Sequence, residues 1–138
     1  MSTLEVDKIQ GVTTAGSLSV TGEGNSTTTN LQQGLAKAWT LSAMQSGNAI
    51  NGSLNTSSIT DNALADFTLT FTNAFGNTAW VMSASSASSH MVHDRSGRSG
   101  AYNAYRTTTT QRCYHQDENG GTSNESNHQN TTFHGDLA

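Results

Sequence analysis

Phe67-Thr68-Leu69-Thr70-Phe71-Thr72 is the stretch that decides the fold. Large apolar side chains and threonines alternate strictly along it, and in an extended chain successive side chains point to opposite faces. One face carries Phe67, Leu69 and Phe71, and the other carries three threonines. A helix would scatter both sets around its surface, so the segment predicts a half-buried β-strand. Downstream, Asn73-Ala74-Phe75-Gly76-Asn77 reads as a turn, after which Trp80 and Met82 resume the two-residue period. Upstream, Thr60-Asp61-Asn62 has turn-forming side chains, which places the preceding hairpin loop there. The central zone extends from Leu35 to about Ser86 and also contains Ala38-Trp39-Thr40-Leu41, Ile50, Leu54 and Ile59. Its expected core is Trp39, Phe67, Leu69, Phe71, Trp80 and Met82.

Outside this zone the apolar signal thins. From Met1 to about Gln33 it comes in pairs, Leu4/Val6 and Leu18/Val20, separated by glycine-bearing polar stretches. An isolated two-stranded piece is marginal in water. Residues 1–33 therefore read as an extended assembly arm, which gains order by lying on another surface or by strand addition. Residues 34–138 read as a β-domain with exposed C-terminal loops. A short helical turn is expected between Asn30 and Ala38. Ala101–Tyr105 and Thr107–Tyr114 read as strands solvated on one face, and Asp117–Gly121 as a turn built on Asn119-Gly120.

Composition sets the class. Of 138 residues, 33% are hydrophobic and 12% charged, both low for a globular chain. Disordered chains are also poor in apolar residues, but they carry high net charge and few β-branched residues. Here the net charge is −4, and Thr, Val and Ile recur throughout. The expected fold is all-β: a small antiparallel β-sandwich or jelly-roll-like domain with an extended N-terminal arm. Cys113 is the single cysteine, so no intrachain disulfide supports so thin a core. Pooling apolar surface between subunits makes a homo-oligomer the expected state, most simply a trimer.

Six Lys/Arg against ten Asp/Glu leave no basic face for phosphate, which argues against a nucleic-acid partner. Arg95, Arg98, Arg106 and Arg112 concentrate in the second half but read as solvated strand residues. No apolar run is long enough for membrane insertion, and Met1–Glu5 lacks a signal-like pattern. Synthesis in the cytoplasm and delivery by assembly are the corresponding expectations.

The candidate chemistry is sparse. His90 and His93, three apart, fall on opposite faces of a strand. Cys113 and His115, two apart, share a face, and with His128 or His134 from a neighbouring strand they form the conceivable zinc set. No paired ligand spacing accompanies them, so the expectation is no metal and no cofactor. Cys113 as a nucleophile lacks an evident base held by a third group. There is no Gly-x-Ser-x-Gly elbow, Gly22-Glu23-Gly24 lacks the Lys-Ser/Thr of a phosphate loop, and Asp94, Asp117 and Glu118 do not make a calcium loop. Asn-x-Ser/Thr triplets such as Asn51-Gly52-Ser53 arise by chance in so Ser/Thr/Asn-rich a chain. No catalytic residue is assigned, and the reading is of a protein that is not an enzyme.

Two motif groups carry a resemblance. Ser2-Thr3-Leu4-Glu5-Val6-Asp7-Lys8-Ile9-Gln10 is similar to the opening of small structural and tail-fibre-like proteins of marine tailed phages, cyanophages included. Gly34-Leu35-Ala36-Lys37-Ala38-Trp39, then Leu54–Asn62, then Phe67–Thr72 resemble a β-domain of those proteins. The similarity covers about half the chain, and Ser83 onward matches nothing. The resemblance implies a protein of the virion surface, of tail-fibre or tail-tip type, that assembles with itself and with other virion proteins of the tail or capsid. Its exposed loops would contact a host surface glycan or protein. A capsid decoration (cement) protein is the alternative. A carbohydrate-processing enzyme, the reading from another class, would need a carboxylate pair in a recognisable context, and none is visible.

Overall fold

The computed structural model describes residues 5–10, 18–21, 28–45, 47–86, 90–94, 105–117 and 125–138. The chain divides into two compact units, Met1–Leu35 and Ala36–Ala138. In the first, β1 (Ser19–Thr21) pairs antiparallel with β2 (Thr28–Asn30), and a single helical turn, α1 (Leu31–Gly34), follows. The Leu31 amide donates to the Leu18 carbonyl at 2.9 Å, which fixes α1 against the start of β1. The helical turn expected within Asn30–Ala38 is thus present but ends at Gly34.

The second unit contains β3 (Ala36–Ala43), β4 (Ala49–Leu54), β5 (Thr56–Ala63), β6 (Asp66–Phe71), β7 (Val81–Ser86), β8 (His90–Asp94), β9 (Thr110–Asp117) and β10 (Gln129–His134). They form two four-stranded antiparallel sheets, in the orders β4-β3-β10-β7 and β5-β6-β9-β8. Both sheets send side chains into one apolar cluster. Ala38 and Phe133 come from the first, and Phe67, Leu69, Phe71, Val92 and Cys113 from the second. The expected all-β class, built of antiparallel sheets, is what the structure shows.

Phe67, Leu69 and Phe71 are buried, whereas Thr68 and Thr70 between them are only partly so. The alternation of β6 is therefore the alternation of core and outer face. Rings gather at the Phe71 end. Phe71 meets Phe75, Trp80 and Phe133 edge-on, with centroids 4.9, 5.9 and 5.0 Å away. Gly135 permits this packing, because a Cβ there would stand 2.6 Å from the Trp80 Cβ.

A tight corner joins the sheets. Asn55, alone between β4 and β5, adopts φ of 57°, a left-handed conformation that asparagine tolerates better than most residues. Its Oδ1 accepts the Asn73 amide at 2.7 Å, and its Nδ2 donates to the Asn73 carbonyl at 3.1 Å. Beside it, Thr40 of β3 donates to the Thr56 hydroxyl of β5 at 2.8 Å, a buried link between the sheets.

Several expectations need correction. Trp39 is 40% exposed, because Ala38, Thr40 and Ser42 take the inward positions of β3 and leave Trp39 on the outer face. Met82 is half-buried at the margin of the core. Thr60-Asp61-Asn62 is strand, not turn. The loop lies at Leu64-Ala65, closed by the Ala63↔Asp66 pair, with Ala65 at φ of 63°. Asn62 instead donates to the Thr68 hydroxyl at 2.9 Å and to Asp66 Oδ1 at 3.3 Å. β9 starts at Thr110. Thr107–Thr109 form a turn in which the Thr107 hydroxyl accepts the Thr110 amide at 2.9 Å. Tyr105 belongs to a turn, and Asp117 ends β9. The remaining parts of the expected 101–105 strand and 117–121 turn lie outside the described residues.

Candidate functional site

Cys113 and His115 share a face of β9, and that face is the interior: they are 0% and 1% exposed. Cys113 lies 3.8 Å from the Met82 sulfur, and His115 meets Phe67 edge-on at 5.9 Å. Burial pushes the Cys113 thiol well above its ordinary value, and the Asp94 and Asp66 carboxylates add to the shift. The thiolate that metal binding or nucleophilic attack requires is therefore disfavoured. His128 is exposed ahead of β10, its amide donating to the Ser126 hydroxyl at 3.2 Å. His134 ends β10 on the outer face, paired in register with Val81. The structure thus distributes the four conceivable zinc ligands between core and surface. Among the described residues, no three His, Cys, Asp or Glu side chains gather as a metal site.

The second-half arginines that fall within the described residues are engaged in ion pairs. Arg112 spans Asp66, with Nε to Oδ1 at 2.7 Å and Nη2 to Oδ2 at 3.0 Å. Its guanidinium is held above its ordinary pKa chiefly by that hydrogen bond. Arg106 pairs with Asp94, donates to the Trp80 carbonyl at 2.9 Å and covers the Trp80 ring at 4.1 Å. Both act as staples. Composition alone did not reveal them, because each aspartate partner is distant in sequence or carried by another strand.

The surface feature that stands out is the outer face of the β4-β3-β10-β7 sheet. Register places Leu54, Trp39, Thr132 and Ser83 in one row across the four strands. A parallel row runs Gly52, Leu41, Asn130, Ser85, in which Asn130 Nδ2 donates to the Ser85 hydroxyl at 3.4 Å. The far edge of the Trp39 ring leans over Gly52, where a Cβ would sit 3.4 Å from it. Leu54 is 48% exposed beside it. An aromatic ring thus borders a strip of hydroxyl and amide groups, and neither row carries a charge. The strict period of β3 was the signal that could have found this face, had the small residues Ala38, Thr40 and Ser42 been set inward.

Compared with known proteins, the chain matches no family model, no curated protein and no solved structure.

Proposed function

We propose that the protein is a non-enzymatic structural component of a phage particle surface, of tail-fibre or tail-tip type. It works as a homo-oligomer, most simply a trimer, anchored through its N-terminal unit with the sandwich displayed. The observation that carries this reading is the N-terminal unit itself. Its described part is the irregular segment 5–10, one two-stranded ladder and one helical turn, with Val6, Ile9 and Val20 exposed by 52%, 59% and 53%. Burying one such side chain is worth roughly 1.5–3 kcal/mol, a gain open to a partner surface. The resemblance of Ser2–Gln10 and of the Lys-Ala-Trp, Leu54–Asn62 and Phe67–Thr72 segments to phage proteins supports the same reading. The interior placement of Cys113 and His115 supports a structural use of the residues most suited to chemistry.

The test is the full chain carrying Val6→Asp, Ile9→Asp and Val20→Asp together. Expected are an unchanged β-type circular dichroism spectrum and melting curve, with loss of incorporation into particles. Incorporation at the wild-type level would refute an anchoring N-terminal unit. A stably folded monomer at micromolar concentration in light scattering would refute the oligomer. A copy number per particle that follows the capsid lattice would replace the tail reading with capsid decoration.

A further inference from the structure

We infer that the Trp39 face of the sandwich is a binding platform for neutral carbohydrate. This deepens the surface-display reading above and rests on it only for the biological sense of the contact.

The argument starts from what the face offers. Trp39 is 40% exposed in the middle of a regular sheet, on β3, with β4 on one side and β10 on the other. Gly52, next to it on β4, has no side chain to lift the indole, so the ring edge lies low across that strand. An indole presents an apolar, electron-rich face, and the C–H faces of a pyranose ring are its natural complement. Neighbouring strands are about 4.8 Å apart. The Thr132 and Ser83 positions therefore stand one and two spacings from Trp39 in the same row. The indole leans toward β4, away from β10 and β7. A sugar ring stacked on it therefore leaves the Thr132, Asn130, Ser83 and Ser85 positions to the next rings of an oligosaccharide. Lys37, two residues before Trp39, is the one charged residue in the four strands of this sheet. A lone cation is no basic cluster, so the match is to an uncharged glycan and not to a polyanion.

Area decides against a second copy of the chain as the occupant. Four strands about 4.8 Å apart and six residues long make a flat face of roughly 300–400 Å². A stable protein interface needs about 800 Å² per partner. The face is too small for a subunit and suited to a few sugar rings.

The experiment titrates the full-length protein with cellohexaose, maltohexaose, chitohexaose and mannohexaose, with polygalacturonate as the anionic control. Binding is read by saturation-transfer NMR and by tryptophan fluorescence. At least one neutral hexasaccharide should bind saturably and the polyanion should not. Trp39→Ala should weaken binding roughly tenfold, the factor set by a stacking contact of about 1.4 kcal/mol, with the melting curve retained. Trp39→Tyr should keep part of the affinity. Gly52→Val keeps the indole but forces it off the strand, and should also weaken binding, which guards against a folding defect in Trp39→Ala.

The inference is overturned if no neutral oligosaccharide binds at millimolar concentration, or if polygalacturonate binds as well as the neutral chains. It is also overturned if Trp39→Ala binds like wild type. If that variant instead splits the oligomer, the face lies between copies. Because binding is measured in solution, failure of the incorporation test leaves this result standing, and a negative titration leaves the anchoring proposal standing.

Discussion

Phe71→Ala tests the physical basis of the fold directly. The side chain is 4% exposed and packs edge-on against Phe75, Trp80 and Phe133. Phe→Ala in a core costs about 3–5 kcal/mol through lost transfer energy and the cavity left behind. Edge-to-face contacts add on the order of 0.5–1.5 kcal/mol each beyond area, though not additively. Three such contacts on one ring put the expected loss near the top of the range, about 4–5 kcal/mol. Thr70, one residue earlier, points to the outer face and is only partly buried. Its carbonyl accepts the Ser57 hydroxyl at 3.1 Å, a bond that Thr70→Ala leaves in place. That substitution should therefore cost under about 1 kcal/mol. Urea titration followed by circular dichroism measures both. Should Phe71→Ala prove too unstable to purify, Phe71→Leu gives a smaller loss that is still larger than that of Thr70→Ala. Equal losses at positions 70 and 71 would refute the assignment of faces on β6.

Asp66→Asn should cost about 1–3 kcal/mol in the same assay. Asp66 is 6% exposed and its partner Arg112 33%, which places the pair between the median surface bridge and a fully buried one; a loss below 0.3 kcal/mol would deny the pair a structural role. Gln129 is 0% exposed, and among the described residues neither atom of its amide has a hydrogen-bond partner. Gln129→Met should hold or raise stability by up to about 1–2 kcal/mol, since an unsatisfied buried amide is costly; a clear loss would mean that the amide is satisfied in solution. Cys113 makes stability depend on pH. Its thiol is raised in the folded state, so its contribution is fully present below the unfolded thiol value of about 8.5 and is lost as pH rises past it, at up to about 1.4 kcal/mol per unit. The urea midpoint should fall between pH 7.5 and pH 9.5 in the wild type by more than it does in Cys113→Ala, and equal falls would refute the assignment.

The strand at Phe67–Phe71 was legible because two-residue periodicity and large side chains coincide there. β3 misled for the converse reason. Its largest residue, Trp39, lies outside, while Ala38, Thr40 and Ser42 fill the interior, and reading size as burial fails where a sheet keeps small residues inward. The β5–β6 loop was hidden because Leu64-Ala65 has no turn signature. Asn62 and Asp61, which have one, serve inside β5, with Asn62 hydrogen-bonding across to Asp66 and Thr68. The zinc candidates were placed correctly as to face on β9, but the pattern could not say that this face is the sandwich interior. The ion pairs of Arg106 and Arg112 depend on Asp94 and Asp66 arriving from other strands, which no local spacing encodes.

A low apolar content and a stable sandwich are compatible because the interior is divided along its length. At the Phe71 end, Phe71, Phe75, Trp80 and Phe133 concentrate most of the large rings. Toward the Ala65 end, the inward positions pass to Cys113 and His115 on β9 and to Thr131 and Gln129 on β10. The first end supplies burial, and the second is filled by side chains that need partners. Such polar filling costs stability where it goes unpaired, as at the Gln129 amide and the Thr131 hydroxyl among the described residues. A one-residue slip of β10 would exchange Gln129, Thr131 and Phe133 for Asn130, Thr132 and His134. It would remove Phe133 from the ring cluster and turn the hydroxyl row away from Trp39. The same alternation that seats the core thus sets the outer face, so a substitution that shifts β10 should disturb stability and the surface around Trp39 together.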